Sequence, residues 1–288
     1  MGQLLISGLA MGCIYALASL GFVITYKSVG ILNFAYGEIM TLGAYFATTL
    51  VVSIGVPLGL GLVLVLIAMT GVGVAFAYGV YRPLANKPVR TVVIATIGVS
   101  VALQALILLV WGPYAKSLPV LGSPHPLNFR GLSLLPHNLY IFAITTLVVA
   151  ALWLLYAKTS IGWKMQAVAQ DAETARLMGI NVSMIILGTW VLSAWLGGLA
   201  GFLLAPLFFI NHTVGFIVML KAFAACIIGG FGSLQGALVG GLFVGVAESL
   251  LAGYVSSAYK DVLTFGLLIA VLIFMPQGLF GEKIGEKV

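Results

Sequence analysis

Residues 4–26 form a run of 23 residues without a charged side chain. That length crosses the ~30 Å of a bilayer's hydrocarbon as one helix. Similar runs recur at residues 58–81, 91–111, 139–157, 184–209, 234–254 and 262–275, the fifth of these interrupted only by Glu248. Residues 28–55 continue the pattern around Asn33, Gly37 and Glu38. Charged residues make up 7% of the chain, against roughly 25% in a soluble domain. The expected fold is therefore all-α: a polytopic membrane helical bundle of about eight full spans in one transmembrane domain, residues 1–288. One short broken helix accompanies the spans, because residues 222–228 are apolar but too short to cross.

The cations give the orientation. No basic residue precedes the first run and Lys27 follows it, so the amino terminus is expected outside. Arg82, Lys87 and Arg90 form the densest basic cluster, and Lys283 and Lys287 end the chain; both regions are expected in the cytoplasm. Residues 112–138, with five prolines, are expected to form the longest outer loop, flanked by Trp111, Tyr114 and Tyr140. The net charge of +6 is spread singly between apolar runs and does not form the basic face of a nucleic-acid binder.

Residues 158–183 interrupt this pattern and hold Lys158, Lys164, Asp171, Glu173 and Arg176. Met165, Val168, Ala169, Ala172 and Ala175 recur at helical steps on one face. Thr159 or Ser160 suits the N-cap, and Gly179 with Asn181 suits the end. An alanine face is too small to anchor in lipid but permits close approach. The spacing predicts one surface helix over residues 164–178, docking by that face into a partner protein. The alternative reading is a solvated interhelical loop.

Intramembrane polar residues are the candidates for a translocation pathway: Asn33, Glu38, Gln104 and Glu248. Glu38 also fits an ordinary charge at the inner interface, and Gln104 an ordinary helix–helix hydrogen bond. Gly229, Gly230, Gly232 and Gly236 are expected to break a helix and let backbones pack closely. His125 and His137 lie twelve apart with no nearby Cys or acid, so no metal site is expected. Cys13 and Cys226 both sit in apolar surroundings and imply no disulfide framework. No nucleotide-binding GxxxxGK[ST] loop, HExxH or CxxC is present, so the chain is not expected to be an enzyme or to bind a cofactor itself.

Four stretches carry a family resemblance: GLAMGCIYALASLGFVITYKSVGILNFAYGEIMTLGAY, YRPLANKPVRTVVIATIGVSVALQ, AVAQDAETARLMGINV and KAFAACIIGGFGSLQGALVGGLFVGVAE. They resemble the permease subunit of the branched-chain amino-acid (Liv-type) ABC importers. Tyr36 departs from the pattern, standing where a histidine is expected in many relatives. The resemblance implies a multi-pass protein of the bacterial cytoplasmic (inner) membrane. It implies a second homologous permease, making a heterodimeric pore, with two ABC ATPases that bind ATP and Mg and an external solute-binding protein. It carries Ala169, Asp171, Ala175, Gly179, Ile180 and Asn181, beside Glu173, onto a cytoplasmic coupling loop over residues 158–183 that touches the ATPase. The implied solutes are branched-chain or related amino acids; urea, short amides and aromatic acids are alternatives within the family. An ion-coupled secondary transporter is the alternative from a different class, with Glu38 and Glu248 as its coupling groups.

Overall fold

The computed structural model describes residues 1–85, 87–120, 127–129, 132–257, 259–275 and 277–280; Pro124, His125, Pro126, Lys283 and Lys287 lie outside them. In chain order the helices are α1 (Gly2–Val29), α2 (Tyr36–Thr48), α3 (Leu58–Phe76), the single turn α4 (Arg82–Leu84), α5 (Val89–Trp111), α6 (Pro136–Lys158), α7 (Ser160–Gln170), α8 (Ala172–Leu177), α9 (Val182–Leu204), α10 (Val214–Gly229), α11 (Leu234–Tyr254) and α12 (Lys260–Phe274). A small antiparallel pair, β1 (Leu127–Phe129) and β2 (Leu132–Leu134), precedes α6. π-helical turns extend α2 over Thr49–Ser53 and α3 over Ala77–Tyr81. Prolines set several helix starts: Pro57 and Pro88 immediately precede α3 and α5, and Pro136 opens α6, where a missing N–H costs nothing. α9 stops at Leu204, two residues before Pro206.

Six helices among the described residues are long and apolar enough to cross a membrane: α1, α3 with its extension to Leu84, α5, α6, α9 and α11. α10 is shorter, at 16 residues, and α12 has 15.

The core is built on glycine. α1 and α11 lie so close that a Cβ added to Gly241 would strike the backbone of Ala16, and one on Gly245 the backbone of Gly12. Gly236 and Gly240 turn α11's other side onto Gly229 and Ala225 of α10. Gly43 of α2 meets Gly198 of α9 in the same way. With lipid outside, no hydrophobic force drives helices together, so close van der Waals contact between small residues does that work. α1 is consequently buried almost continuously from Gly12 to Thr25. α5 and α6 lie at the periphery, with side chains such as Leu109 and Leu147 exposed.

Lys221 lies inside α10, which begins at Val214, and is 3% exposed. One expectation changes. His137 is not in an outer loop but in the first turn of α6, buried, with Nε2 3.0 Å from the Leu203 carbonyl.

Candidate functional site

The corner between α6 and α9 carries the surface residues singled out above. Thr159 caps α7, accepting from the Gly162 N–H at 3.2 Å, and its hydroxyl donates to the Leu155 carbonyl at 2.6 Å. Gly162 lies against the backbone of Leu155 and Tyr156, leaving no space for a side chain in this tight reversal. The helix predicted over residues 164–178 is broken at Asp171. With φ −155° and ψ 106° it is extended, ending α7 and capping α8. Its Oδ1 accepts from the N–H of Glu173 (2.9 Å) and Thr174 (3.2 Å), and the Thr174 hydroxyl donates to Oδ2 at 2.5 Å. These bonds hold its carboxyl below the usual aspartate range, the Thr174 hydroxyl contributing most.

Gly179 has φ +81°. Its N–H bonds the Arg176 carbonyl and the Ile180 N–H bonds the Ala175 carbonyl, both at 3.0 Å, which is the Schellman termination of a helix. Asn181 then caps α9 by accepting from the Met184 N–H. The alanine face points inward: Ala175 is 4% exposed and clusters with Val168 and Val182. Ala169 is half-buried. The face left open carries Asp171, Glu173, Arg176 and two long apolar side chains, Leu177 (87% exposed) and Met178 (79%). The expectation that alanines make the docking surface is corrected at Ala175, which packs against its own corner.

Inside the bundle, the candidate polar residues fall into two groups. Glu38, in the first turn of α2, is fully buried. Its Oε1 accepts from Gln104 Nε2 at 2.8 Å and Ser100 Oγ at 3.2 Å, both on α5. Asn33 shapes the approach to α2, its Oδ1 accepting from the Ala35 N–H at 3.1 Å. The intervening N–H, of Phe34, donates to Thr96 of α5. Glu248 belongs to a different group. Its Oε1 pairs with Lys221 at 2.5 Å and its Oε2 accepts from Tyr15 at 2.7 Å. Lys221 also meets Asp261 at 2.8 Å, and Lys260 approaches Glu248 at 3.7 Å. This network joins α1, α10, α11 and α12. Sequence reasoning missed Tyr15, Ser100, Lys221, Lys260 and Asp261. Only Lys221 gave a signal, as a lone cation between VML and AFAACII.

The glycine break places Gly230 at φ +108° and Gly232 at φ +90°, and Ser233 restarts the chain by capping α11 at Gly236. Two free carbonyls at the end of α10 are satisfied by protein: Leu279 donates to Ile228 and Phe280 to Gly229. A groove of about 1330 Å³ runs beside the break, lined by Cys13, Thr145, Gln166, Ala169, Phe231 and Gln277 among others. Asn33, Glu38, Gln104 and Glu248 do not line it.

The family described as "Branched-chain amino acid transport system / permease component" matches residues 4–272. The chain is 35% identical to the high-affinity branched-chain amino acid transport system permease protein LivH of Escherichia coli K12, over 99% of this chain and 97% of that one. It is 36% identical to the corresponding BraD of Pseudomonas aeruginosa, over the same shares. Identity to a probable LivH of Methanocaldococcus jannaschii is 32%, over 92% of this chain and 88% of the other. The structure of PsaBC from Streptococcus pneumoniae in complex with Fab shares the fold at a TM-score of 0.52, with 12% identity, covering 97% of this chain and 93% of that one. A bundle of apolar helices packed on glycine, matched along nearly its whole length, thus belongs to the branched-chain amino acid transport permease family, as a multi-pass permease component of an ABC importer in the cytoplasmic membrane.

Proposed function

We propose that this chain is one of two homologous permease subunits that carry branched-chain amino acids inward. An external binding protein delivers the solute, and two ABC ATPases bind and hydrolyse ATP with Mg. The chain itself acts as no enzyme, holds no cofactor and meets lipid but no nucleic acid. The observation that carries the reading is the near-full-length similarity to relatives described as branched-chain amino acid permeases. In this reading α2 with its π turn, and α12 with the tail to Phe280, also cross the bilayer, giving eight spans with α10 as the short broken helix. The amino terminus lies outside and the carboxyl terminus inside, which puts residues 82–90 and 158–183 in the cytoplasm.

The corner of α7 and α8 is then the coupling element. Asp171, Glu173, Leu177 and Met178 face the ATPase. Ala169 and Ala175 seat the corner, while Gly179, Ile180 and Asn181 fix its exit. Asn33, Glu38, Gln104 and Glu248 border the solute's path, where a buried polar group must face protein, water or solute.

The test is reconstitution in proteoliposomes with the partner permease, the ATPases and the binding protein. Leucine, isoleucine or valine should stimulate ATP hydrolysis and accumulate inside. Stimulation only by urea, a short amide or an aromatic acid would change the solute. Uptake by this chain without the ATPases would overturn the ATP-driven reading.

A further inference from the structure

We propose that the Lys221–Glu248 pair binds the charged head of an α-amino acid, and that Lys260 and Asp261 fill this site in the closed molecule. The inference rests on the amino-acid reading above and gives it an atomic site. Lys221 and Glu248 are fixed parts, their side chains 4% and 10% exposed. Tyr15 holds Glu248 by Oε2, leaving Oε1 for cations. Two consecutive residues at the start of α12 complete the cluster. Asp261 sets a carboxylate on Lys221 at 2.8 Å, and Lys260 sets an ammonium 3.7 Å from Glu248 Oε1. The pair thus already receives one carboxylate and one ammonium, which are the two groups of a zwitterion. Both residues of this internal substitute are accessible, at 35% exposed for Lys260 and 50% for Asp261. A solute zwitterion displaces them: its carboxylate takes the place of Asp261 on Lys221, and its ammonium that of Lys260 on Glu248. A plain structural tie does not need charges here, because well-packed apolar residues replace a buried ion pair at little or no loss of stability.

The experiment uses the full reconstituted complex with leucine as probe, reading uptake, ATPase activity and thermal stability. Wild-type complex that takes up no leucine sinks the amino-acid reading and not the site. Given wild-type uptake, Lys221→Met should lower it at least tenfold. Lys221→Met with Glu248→Met should recover wild-type stability and assembly but not uptake. Recovery of uptake to within twofold would make the pair a structural tie and overturn the proposal. Should that double variant fail to assemble, Lys260→Gln with Asp261→Asn decides, since both positions are accessible. Removing the internal substitute should lower the KM for leucine three- to tenfold, and an unchanged or raised KM overturns the proposal.

Discussion

The seam between α1 and α11 and the seam between α2 and α5 hold helices together by opposite means. In the first, Gly12 and Gly245 bring backbone onto backbone, and Ala16 meets Gly241. In the second, Thr96, Ser100, Gln104 and Trp111 of α5 reach across to Phe34, Glu38 and Thr49 with hydrogen bonds of 2.7–3.3 Å. α5 has few other attachments, and Ile94, Val101 and Leu109 face outward. A glycine seam is a shape match: it is lost when anything is added, and it leaves no polar group behind when it opens. A hydrogen-bonded seam has discrete partners that water or a solute can replace one at a time. The α1–α11 pair is therefore the close-packed frame of the bundle, and α5 is held against α2 by separable bonds.

The largest effect is expected at the frame. Gly245→Leu drives a side chain into the Gly12 backbone, where overpacking typically costs about 1–3 kcal/mol and occasionally more. The variant should lose the monodisperse peak in detergent chromatography. Gly59→Leu is the control, because a Cβ there meets nothing within 4 Å; it should behave as wild type. Equal damage from both would mean that loss of glycine, and not closeness, matters, and the contrast would fall.

Next comes the polar seam. Glu38→Leu leaves the Ser100 and Gln104 donors without their acceptor, at about 1–3 kcal/mol for each buried donor left unpaired. Glu38→Gln keeps an acceptor oxygen and should cost less than half as much in thermal melting. Adding Gln104→Leu to Glu38→Leu should recover part of the loss, since removing both partners of a bond costs less than removing one. A Glu38→Leu protein that melts like wild type would show that α5 is held by something other than these bonds.

The same division explains what the sequence made legible. Uncharged runs are properties of single segments, so the six long apolar helices could be read directly. Hydrogen-bonded partners are properties of pairs far apart in the chain. Glu38 and Gln104 were each picked out, but nothing in their 66-residue separation said that they bond each other. Lys221 stood out only as a lone cation in an apolar run. Its counterion is 27 residues away, and the Tyr15 that completes the cluster is 233 residues from Glu248. At the corner, periodicity grouped Val168 and Ala175 correctly but not the direction they face. The Asp171 break also escaped that reading, although Asp is itself a preferred N-cap residue.

The corner is held by directional bonds as α5 is, but in water, so its changes should be smaller and local. Gly179→Val forces a β-branched residue to φ +81°, at about 1–2 kcal/mol of backbone strain. The bundle should melt as wild type, while pull-down of the ATPase and coupled uptake are lost. Normal pull-down with normal uptake would make residues 158–183 an ordinary loop.

The smallest effect is expected at Asp171, where the bonds are exposed on every side. Its folded carboxyl titrates below the ordinary aspartate value because the Thr174 hydroxyl and the N–H groups of Thr174 and Glu173 favour the charged form. A depressed acid stabilises fully above its unfolded pKa of about 3.9 and loses that contribution as pH falls through the lower folded value. Hydrogen-exchange protection of the 173 and 174 amides should therefore be level from about pH 5 to 8 and decline only in stronger acid. Asp171→Asn keeps an oxygen for the backbone N–H groups but has no proton to gain, so its protection should be lower at neutral pH and lack the acid-dependent decline. Asp171→Ala removes the acceptor and should expose both amides at every pH. If wild type and Asp171→Asn decline together in acid, the loss comes from elsewhere in the corner, and the Asp171 carboxylate is not what holds α8 at its start.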